Sequence, residues 1–202
     1  MLRTDLGSEK RMGTENTNIT LYSPQSKTVW RVVEAFGSAH SRREYVKEKY
    51  GESAVIFLTA YDAYIREAEK IVPRSDRNDY PYWAFAAPEQ IDLSGGGKVM
   101  TLSVPKDEVV FFDQYDWYKV LKLSYIGESE REEADFVREL EKRGIRDASE
   151  AVLKPFYPEI KRKIVDSWSR LFRHDTAIRN GDTSGVRAVQ AGLWQIKKEW
   201  LI

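Results

Sequence analysis

Three parts of this sequence carry side chains of the types and spacing needed to bind or transform a ligand. The first is LYSPQS, residues 21–26, in which Tyr22 and Gln25 precede Ser26 at the predicted start of a helix. Backbone N–H groups at the start of a helix bind phosphate or carboxylate groups. Tyr22 and Gln25 are therefore candidate cofactor-binding residues, and an ordinary serine cap with an exposed Gln25 is the alternative.

The second part is rich in aromatic residues on either side of a predicted loop. The set comprises Tyr61, Tyr64, Tyr80, Tyr82, Trp83 and Phe85. Aromatic side chains at this density form stacking walls for a nucleobase or a nicotinamide ring, and Tyr61 and Trp83 are the candidates for that role. Because Tyr61 and Tyr64 share the apolar face of a predicted helix, packing between a helix and a sheet is the alternative.

The third part is the C-terminal stretch, residues 186–202, in which Gln190 and Glu199 are polar groups on a mostly apolar element. Because its last three residues are WLI, we expect this stretch to dock into the fold. A carboxylate near the end of a core strand stabilises an oxocarbenium-like centre in glycosyl transfer. Gln190 and Glu199 are therefore the candidate catalytic residues, and a surface Glu199 beside two lysines is the alternative.

Other kinds of site have less support in the residues. The absence of cysteine excludes disulfides, thiolate metal sites and cysteine nucleophiles. The two histidines, His40 and His174, are far apart in polar contexts, so we expect surface histidines and no metal site or Ser-His-Asp system. Residues 95–97 are glycines followed by Lys98, but they lack the spacing of a Walker loop and predict a hairpin turn.

The composition predicts one globular domain. The 32 Lys and Arg residues balance 32 Asp and Glu residues, which argues against a broad nucleic-acid or membrane footprint. No window approaches the roughly 18 apolar residues of a membrane span, and the first 18 residues lack the apolar region of a secretory signal. We expect a disordered leader over residues 1–18, with Met1 or Met12 as the start, and a cytoplasmic domain over residues 19–202.

The periodicity predicts an α+β fold with a central, mostly antiparallel sheet and flanking helices. The C-terminal half is predicted to be helical and to return to a final core strand, although residues 186–202 fit a helix as well. Strands are predicted over residues 19–23, 82–86, 90–93, 98–104 and 108–112. Helices are predicted over residues 26–36, 41–50, 57–72, 115–126, 129–142 and 158–172.

The order of these motifs resembles a bacterial family known only as domain of unknown function 3841. The similarity covers nearly all of residues 19–202. The family's motifs W-T-I-Q, A-Y-D-W-L, P-I-W-A-W, V-P-D-D-E-V-L-L-S-D-F-D-x-W-H, S-W-E-R-I-F and Q-A-T-F-W-E-L-x-x-E-W match residues 22–25, 60–64, 81–85, 104–118, 167–172 and 190–200. The chain departs from the family at Tyr118, Lys122 and Gln195, where the pattern has histidine, asparagine and glutamate; a catalytic role for those residues would make this member altered or inactive.

The order of elements is also similar to ADP-ribosyltransferase-like folds. That similarity implies an NAD-utilising enzyme, such as a toxin or a phage-defence effector. In such an enzyme Gln25 would hold the ribose next to the nicotinamide, Tyr61 and Trp83 would stack on the ring, and Glu199 would stabilise the ribosyl cation. Neither the His-Tyr-Glu nor the Arg-Ser-Glu triad of those enzymes can be placed, because Gln25 occupies the first position.

Two other functions stay open at this point. One is a noncatalytic module that recognises a protein, a small nucleotide or a nucleic acid through an aromatic pocket. Phosphate contacts would then come from Arg42, Arg43, Lys47 and Lys49. The other is a structural protein in which every polar group named above is satisfied locally. The sequence does not predict an oligomeric state.

Overall fold

The computed structural model describes residues 18–77, 79–94 and 96–202, so of the predicted leader only Asn18 lies within the described residues. The strands are β1 (Asn18–Gln25), β2 (Ser38–Arg42), β3 (Asp79–Tyr80), β4 (Tyr82–Phe85), β5 (Lys98–Pro105), β6 (Val110–Asp113), β7 (Val189–Leu193) and β8 (Gln195–Lys197). The α-helices are α1 (Lys27–Phe36), α2 (Arg43–Tyr50), α3 (Ala54–Ala68), α4 (Gln114–Leu121), α5 (Glu130–Lys142), α6 (Ala148–Leu153), α7 (Pro158–Ser167) and α8 (Asp175–Arg179).

A five-stranded antiparallel sheet in the order β5-β1-β4-β7-β6 forms the centre of the fold. Strand side chains alternate between its two faces. Along β4, for example, Tyr82 and Ala84 pack into a core with Val33 of α1. Trp83 packs into a second core with Tyr64 of α3. The predicted α+β fold with helices flanking an antiparallel sheet is therefore confirmed.

Helix α1 follows directly from its sequence. The side chain of Ser26 caps it by accepting a hydrogen bond from the N–H of Val29 at 3.3 Å, as expected of a serine N-cap. Gly37 ends it in the left-handed conformation, with φ of 82°. Val33 on its inner face is fully buried against the sheet, so the predicted helix and both of its ends are confirmed.

Two local predictions need correction. The predicted helix over residues 41–50 is present as α2, but its first two residues, 41 and 42, belong to β2. Strand β2 lies in a second sheet in the order β3-β2-β8. There Ala39 pairs with Ile196 and Arg42 with Asp79, so pairing with distant residues outweighs the local helical pattern. Residues 90–93 do not form a strand, because Pro88 starts a 3-10 turn, and β5 pairs with β1 instead of forming a hairpin.

The chain returns from its helical C-terminal half to the centre of the sheet, as predicted. All five residues of β7 are buried between β4 and β6. Beyond it, Leu201 bridges to Leu102, and the N–H of Ile202 donates to the carbonyl of Thr101 at 3.1 Å. Trp200 is buried, so docking of the terminal residues is confirmed. None of the helices in the described part of the chain has the length and apolar character required to cross a membrane.

Candidate functional site

A cavity of about 780 Å³ lies where the end of β1 and the start of α1 meet β2, α2 and the loop before β5. Its size falls in the range of small-molecule sites. It is lined by Pro24, Gln25, Ser26, Lys27, Thr28, Val29, Val32, Ala39, His40, Ser41, Tyr45, Lys49, Tyr82, Gly96, Gly97 and Lys98. We call this space the α1 cavity.

The first turn of α1 forms one wall of the α1 cavity. The N–H groups of Val29 and Trp30 bond to the side chain and the carbonyl of Ser26. Those of Lys27 and Thr28 precede the first intrahelical bond and have no partner inside the helix. Two backbone donors and the positive end of the helix dipole therefore border the cavity.

Gly96 and Gly97, which precede β5, also line the α1 cavity. Gln25 and Lys98 are register partners of β1 and β5. The backbone of Gly97 passes so close to Gln25 that a Cβ at residue 97 would lie 2.9 Å from the Gln25 carbonyl oxygen. With φ of 108°, Gly97 also has a conformation that other residues rarely adopt. The glycines thus bring Lys98 against the start of α1.

Positive charge predominates in the lining of the α1 cavity. It contains Lys27, Lys49 and Lys98 but no Asp or Glu. Within the described ranges, neither Lys27 nor Lys98 takes part in an ion pair. Lys27 also occupies the first helical position, where the helix dipole disfavours a cation and where no acidic residue follows in the first turn. This arrangement favours an anionic ligand.

Two tyrosines add aromatic surface to the lining of the cavity. Tyr82 of β4 is buried, and burial raises the pKa of its hydroxyl well above the usual value, which keeps it a neutral phenol. Tyr45 of α2 is 59% exposed at the rim. Val29 and Val32 add apolar contacts from α1. A planar ring can therefore pack here while its charged substituents reach the lysines.

His40 of β2 brings a titratable ring to the cavity. Its Nδ1 lies 3.0 Å from Oδ1 of Asp79, a carboxylate that is fully buried. Arg42 donates to the same oxygen at 2.7 Å, and Ser75 donates to Oδ2 at 3.2 Å. The tautomer with the proton on Nδ1 suits this contact, since the same carboxylate oxygen also accepts from Arg42, and it leaves Nε2 for a ligand. This orientation suits proton transfer at Nε2.

Of the residues predicted to be catalytic or to bind a cofactor, the structure brings only Gln25 to the α1 cavity. Its side chain donates to the hydroxyl of the buried Ser23 at 2.8 Å. Tyr22 and Gln190 lie away from the cavity lining, in one cross-strand row with Phe85 between them. Gln190 is 4% exposed, and its Oε1 has no hydrogen-bond partner among the described residues.

The two rings predicted to stack on nicotinamide contact each other within the core. Nε1 of Trp83 donates to the hydroxyl of Tyr61 at 2.7 Å. The Tyr61 ring also packs edge-on against Trp117, at 5.7 Å between centroids. Burial raises the pKa of Tyr61 well above its usual value. Their position matches the packing alternative, and neither ring lines the α1 cavity.

Glu199 lies apart from all of these residues. It is exposed on the 3-10 turn Lys198–Trp200. It borders a separate groove of about 530 Å³ together with Gly37, Ser38 and Gln195. The structure therefore does not bring Glu199 together with Gln25, Tyr61 or Trp83.

Of the basic residues predicted to contact phosphates, the two arginines are paired, Lys47 is exposed on α2 outside the cavity lining, and Lys49 has its Nζ over the Tyr50 ring. Arg42 is held by Asp79, and Arg43 by Asp62 and Tyr80; the bond to Asp62 raises the Arg43 pKa above its usual value. Lys49 lines the α1 cavity. No group of three or more His, Asp or Glu side chains suited to a metal lies within residues 18–77, 79–94 and 96–202.

Sequence reasoning missed the roles of His40, Asp79 and Lys98. The polar residues around His40 predicted a surface histidine, and nothing in the sequence singled out Asp79. Only the pairing of β2 with β3 brings the two together. For Lys98 the signal was present, because the preceding glycines permit close backbone approach as well as a hairpin turn.

Comparison with known proteins adds one finding. The family model described as Domain of unknown function (DUF3841) matches residues 20–202. No curated protein and no solved structure matches the chain. The matched range contains every residue that lines the α1 cavity.

Proposed function

This chain belongs to the DUF3841 family, and on that premise we propose that its α1 cavity binds a nucleotide. The observation that carries the proposal is the charge of the lining. Lys27 and Lys98 lie with the N–H groups at the start of α1 that have no partner inside the helix, and no carboxylate lines the α1 cavity with them. Phosphate groups match such a cluster of donors and cations.

The remainder of the lining suits the nucleoside part of the ligand. A base would lie against Tyr82 and the two valines of α1, which offer flat and apolar surface. Gln25, His40 and Ser41 are hydrogen-bonding groups within reach of ribose hydroxyls or base edges. A volume of about 780 Å³ is sufficient for such a molecule.

Isothermal titration calorimetry tests the proposal with ATP, ADP, AMP and NAD, and with adenosine as the phosphate-free control. We expect the phosphorylated compounds to bind and adenosine to bind far more weakly. The double variant K27Q/K98Q should lose about 10- to 100-fold in affinity, since each lysine supplies a charge-assisted contact.

The matched control is K161Q. Lys161 is exposed on α7, has no ion pair among the described residues and lies outside the cavity, so this variant should bind like the wild type. Equal affinity for adenosine and ADP, or full affinity in K27Q/K98Q, would contradict nucleotide binding at this site.

A catalytic use of the bound nucleotide is the second candidate, and the His40–Asp79 pair favours it. The buried carboxylate orients the ring so that Nε2 can act as a general base toward a hydroxyl group or a water in the cavity. NAD is one substrate to test, although Glu199 does not support an ADP-ribosyltransferase-like mechanism, because it lies in another groove.

The test of catalysis follows product formation from each nucleotide that binds. In H40N the amide N–H takes the place of Nδ1–H toward Asp79, but no proton-accepting nitrogen remains. We expect H40N to weaken nucleotide binding by less than about tenfold, the loss of one hydrogen bond, and to lower turnover by at least about 100-fold. If the wild type binds nucleotides but converts none of them, the catalytic candidate is wrong and the binding function stands.

A further inference from the structure

A second, smaller groove adjoins the α1 cavity on another face of the same helix. It has a volume of about 300 Å³ and is lined by Lys27, Trp30, Arg31, Glu34 and Lys98. Lys27 and Lys98 therefore belong to both spaces. Residues 29 and 32 line the cavity, and residues 30, 31 and 34 line the groove. The first turns of α1 therefore separate the two spaces.

We propose that the ligand is a dinucleotide whose phosphates lie at Lys27 and Lys98, with one nucleoside in the α1 cavity and the other in the groove. This inference rests on the proposed nucleotide binding and adds a second subsite to it. A mononucleotide would fill the larger space and leave the groove empty. Two nucleosides joined through phosphate would place the negative charge at the shared lysines and one ring on each side.

The groove has the chemistry of a nucleoside subsite. Trp30 is half-buried, and its indole Nε1 has no hydrogen-bond partner among the residues that the structure describes. Arg31 is exposed and forms no ion pair within the same residues. An indole ring and a guanidinium plane are the side chains on which a nucleobase stacks best.

The negative charge of Glu34 favours an uncharged part of the ligand in the groove. It is the only carboxylate among the groove residues, and it would repel a phosphate placed there. The same carboxylate accepts hydrogen bonds from ribose hydroxyls. The groove is therefore suited to an uncharged nucleoside, and the phosphates stay at the two lysines.

Calorimetry on the full chain tests this inference with three ligands: ADP, the pyrophosphate-linked dinucleotide NAD and the phosphodiester-linked dinucleotide ApA. We expect at least one dinucleotide to bind about tenfold or more tightly than ADP, and the comparison of NAD with ApA identifies the linkage. The variant W30A/R31Q should lose this gain and retain the affinity of the wild type for ADP.

The control variant is F36A, because Phe36 lies on the same helix, is 80% exposed and lines neither space. It should bind all three ligands like the wild type. If ADP binds as tightly as both dinucleotides, or if W30A/R31Q keeps the dinucleotide gain, the second subsite is wrong while nucleotide binding stands. Absence of binding by all three ligands would instead overturn the proposed function.

Discussion

A Cβ added to Gly97 would lie 2.9 Å from the carbonyl oxygen of Gln25, closer than real Cβ atoms approach. This contact joins a loop that reads as an ordinary turn to the end of β1. It places Lys98 beside the start of α1, where the sequence independently indicated anion binding. The close approach of these two residues thus positions Lys98 in the lining of the α1 cavity.

The variant G97A tests that contact. The new methyl group would meet a backbone atom, and φ of 108° strains any residue other than glycine. We expect the free energy of unfolding to fall by about 2–3 kcal/mol in urea denaturation. G96A is the control, since Gly96 also has positive φ but nothing within 4 Å of its Cβ, and should lose only about 1 kcal/mol.

Asp79 is expected to stabilise the fold as well as the orientation of His40. D79A would leave His40, Arg42 and Ser75 without their buried acceptor, which should lower the free energy of unfolding by about 3 kcal/mol. D135N removes a carboxylate that is 56% exposed and should change stability by less than about 0.5 kcal/mol. A similar loss in both variants would contradict a special role for the buried network.

Tyr64 and Gly192 are predicted to be coupled. A Cβ at residue 192 would lie 2.0 Å from the Tyr64 hydroxyl oxygen, so G192A should lower stability by about 3 kcal/mol or more. That hydroxyl is buried without a partner among the described residues, so Y64F should be neutral or slightly stabilising. The double variant should recover part of the loss, because the hydroxyl oxygen is gone. The recovery should be incomplete, because the new methyl group still lies 2.9 Å from the ring carbon Cζ. Strictly additive changes in a double-mutant cycle would show that the two residues do not interact.

Stability should fall at alkaline pH. Burial, followed by the hydrogen bond to Asp62, raises the pKa of Tyr80 to about 12, and burial also raises the pKa values of Tyr61, Tyr64 and Tyr82. The unfolded tyrosines ionise near pH 10. The unfolded state loses these protons at lower pH than the folded state. The tyrosines therefore make their full contribution to the free energy of unfolding below about pH 10, and this contribution decreases as pH rises toward 12.

Melting temperatures between pH 8 and 11.5 measure this decrease. Y80F removes one of the hydroxyl groups whose ionisation lowers stability, so its melting temperature should fall less steeply with pH. Y115F is the control, because that ring is 46% exposed, and its curve should follow the wild type. A melting temperature that stays constant up to pH 11.5 would contradict the raised tyrosine pKa values.

The sequence predicts helices and strands of this fold correctly where the signals for them lie in neighbouring residues. Ser26 and Gly37 mark the ends of α1 within one turn of the helix, and apolar alternation marks β1 and β5. Such signals depend on neighbouring residues alone, so they survive in the sequence.

The sequence predicts only part of the α1 cavity. Gln25 and the start of α1 were identified because a strand followed by a capped helix is a local pattern. By contrast, His40 meets Asp79 only because β2 and β3 pair. Aromatic density did not distinguish a core from a ligand wall, since Tyr61 and Trp83 satisfy each other's polar atoms inside the protein.

By itself, the sequence determined the α+β class, the capped helix and the burial of Trp200 near the end of the chain. These follow from caps, periodicity and the burial of apolar side chains, whereas residues 186–202 fitted a helix as well as a strand. The tertiary structure alone decided that Glu199 lies in a separate groove while Lys27, Lys98 and His40 share a cavity. The reason is physical: strand pairing and close backbone approach join residues that are distant along the chain, and no local pattern records that choice of partner.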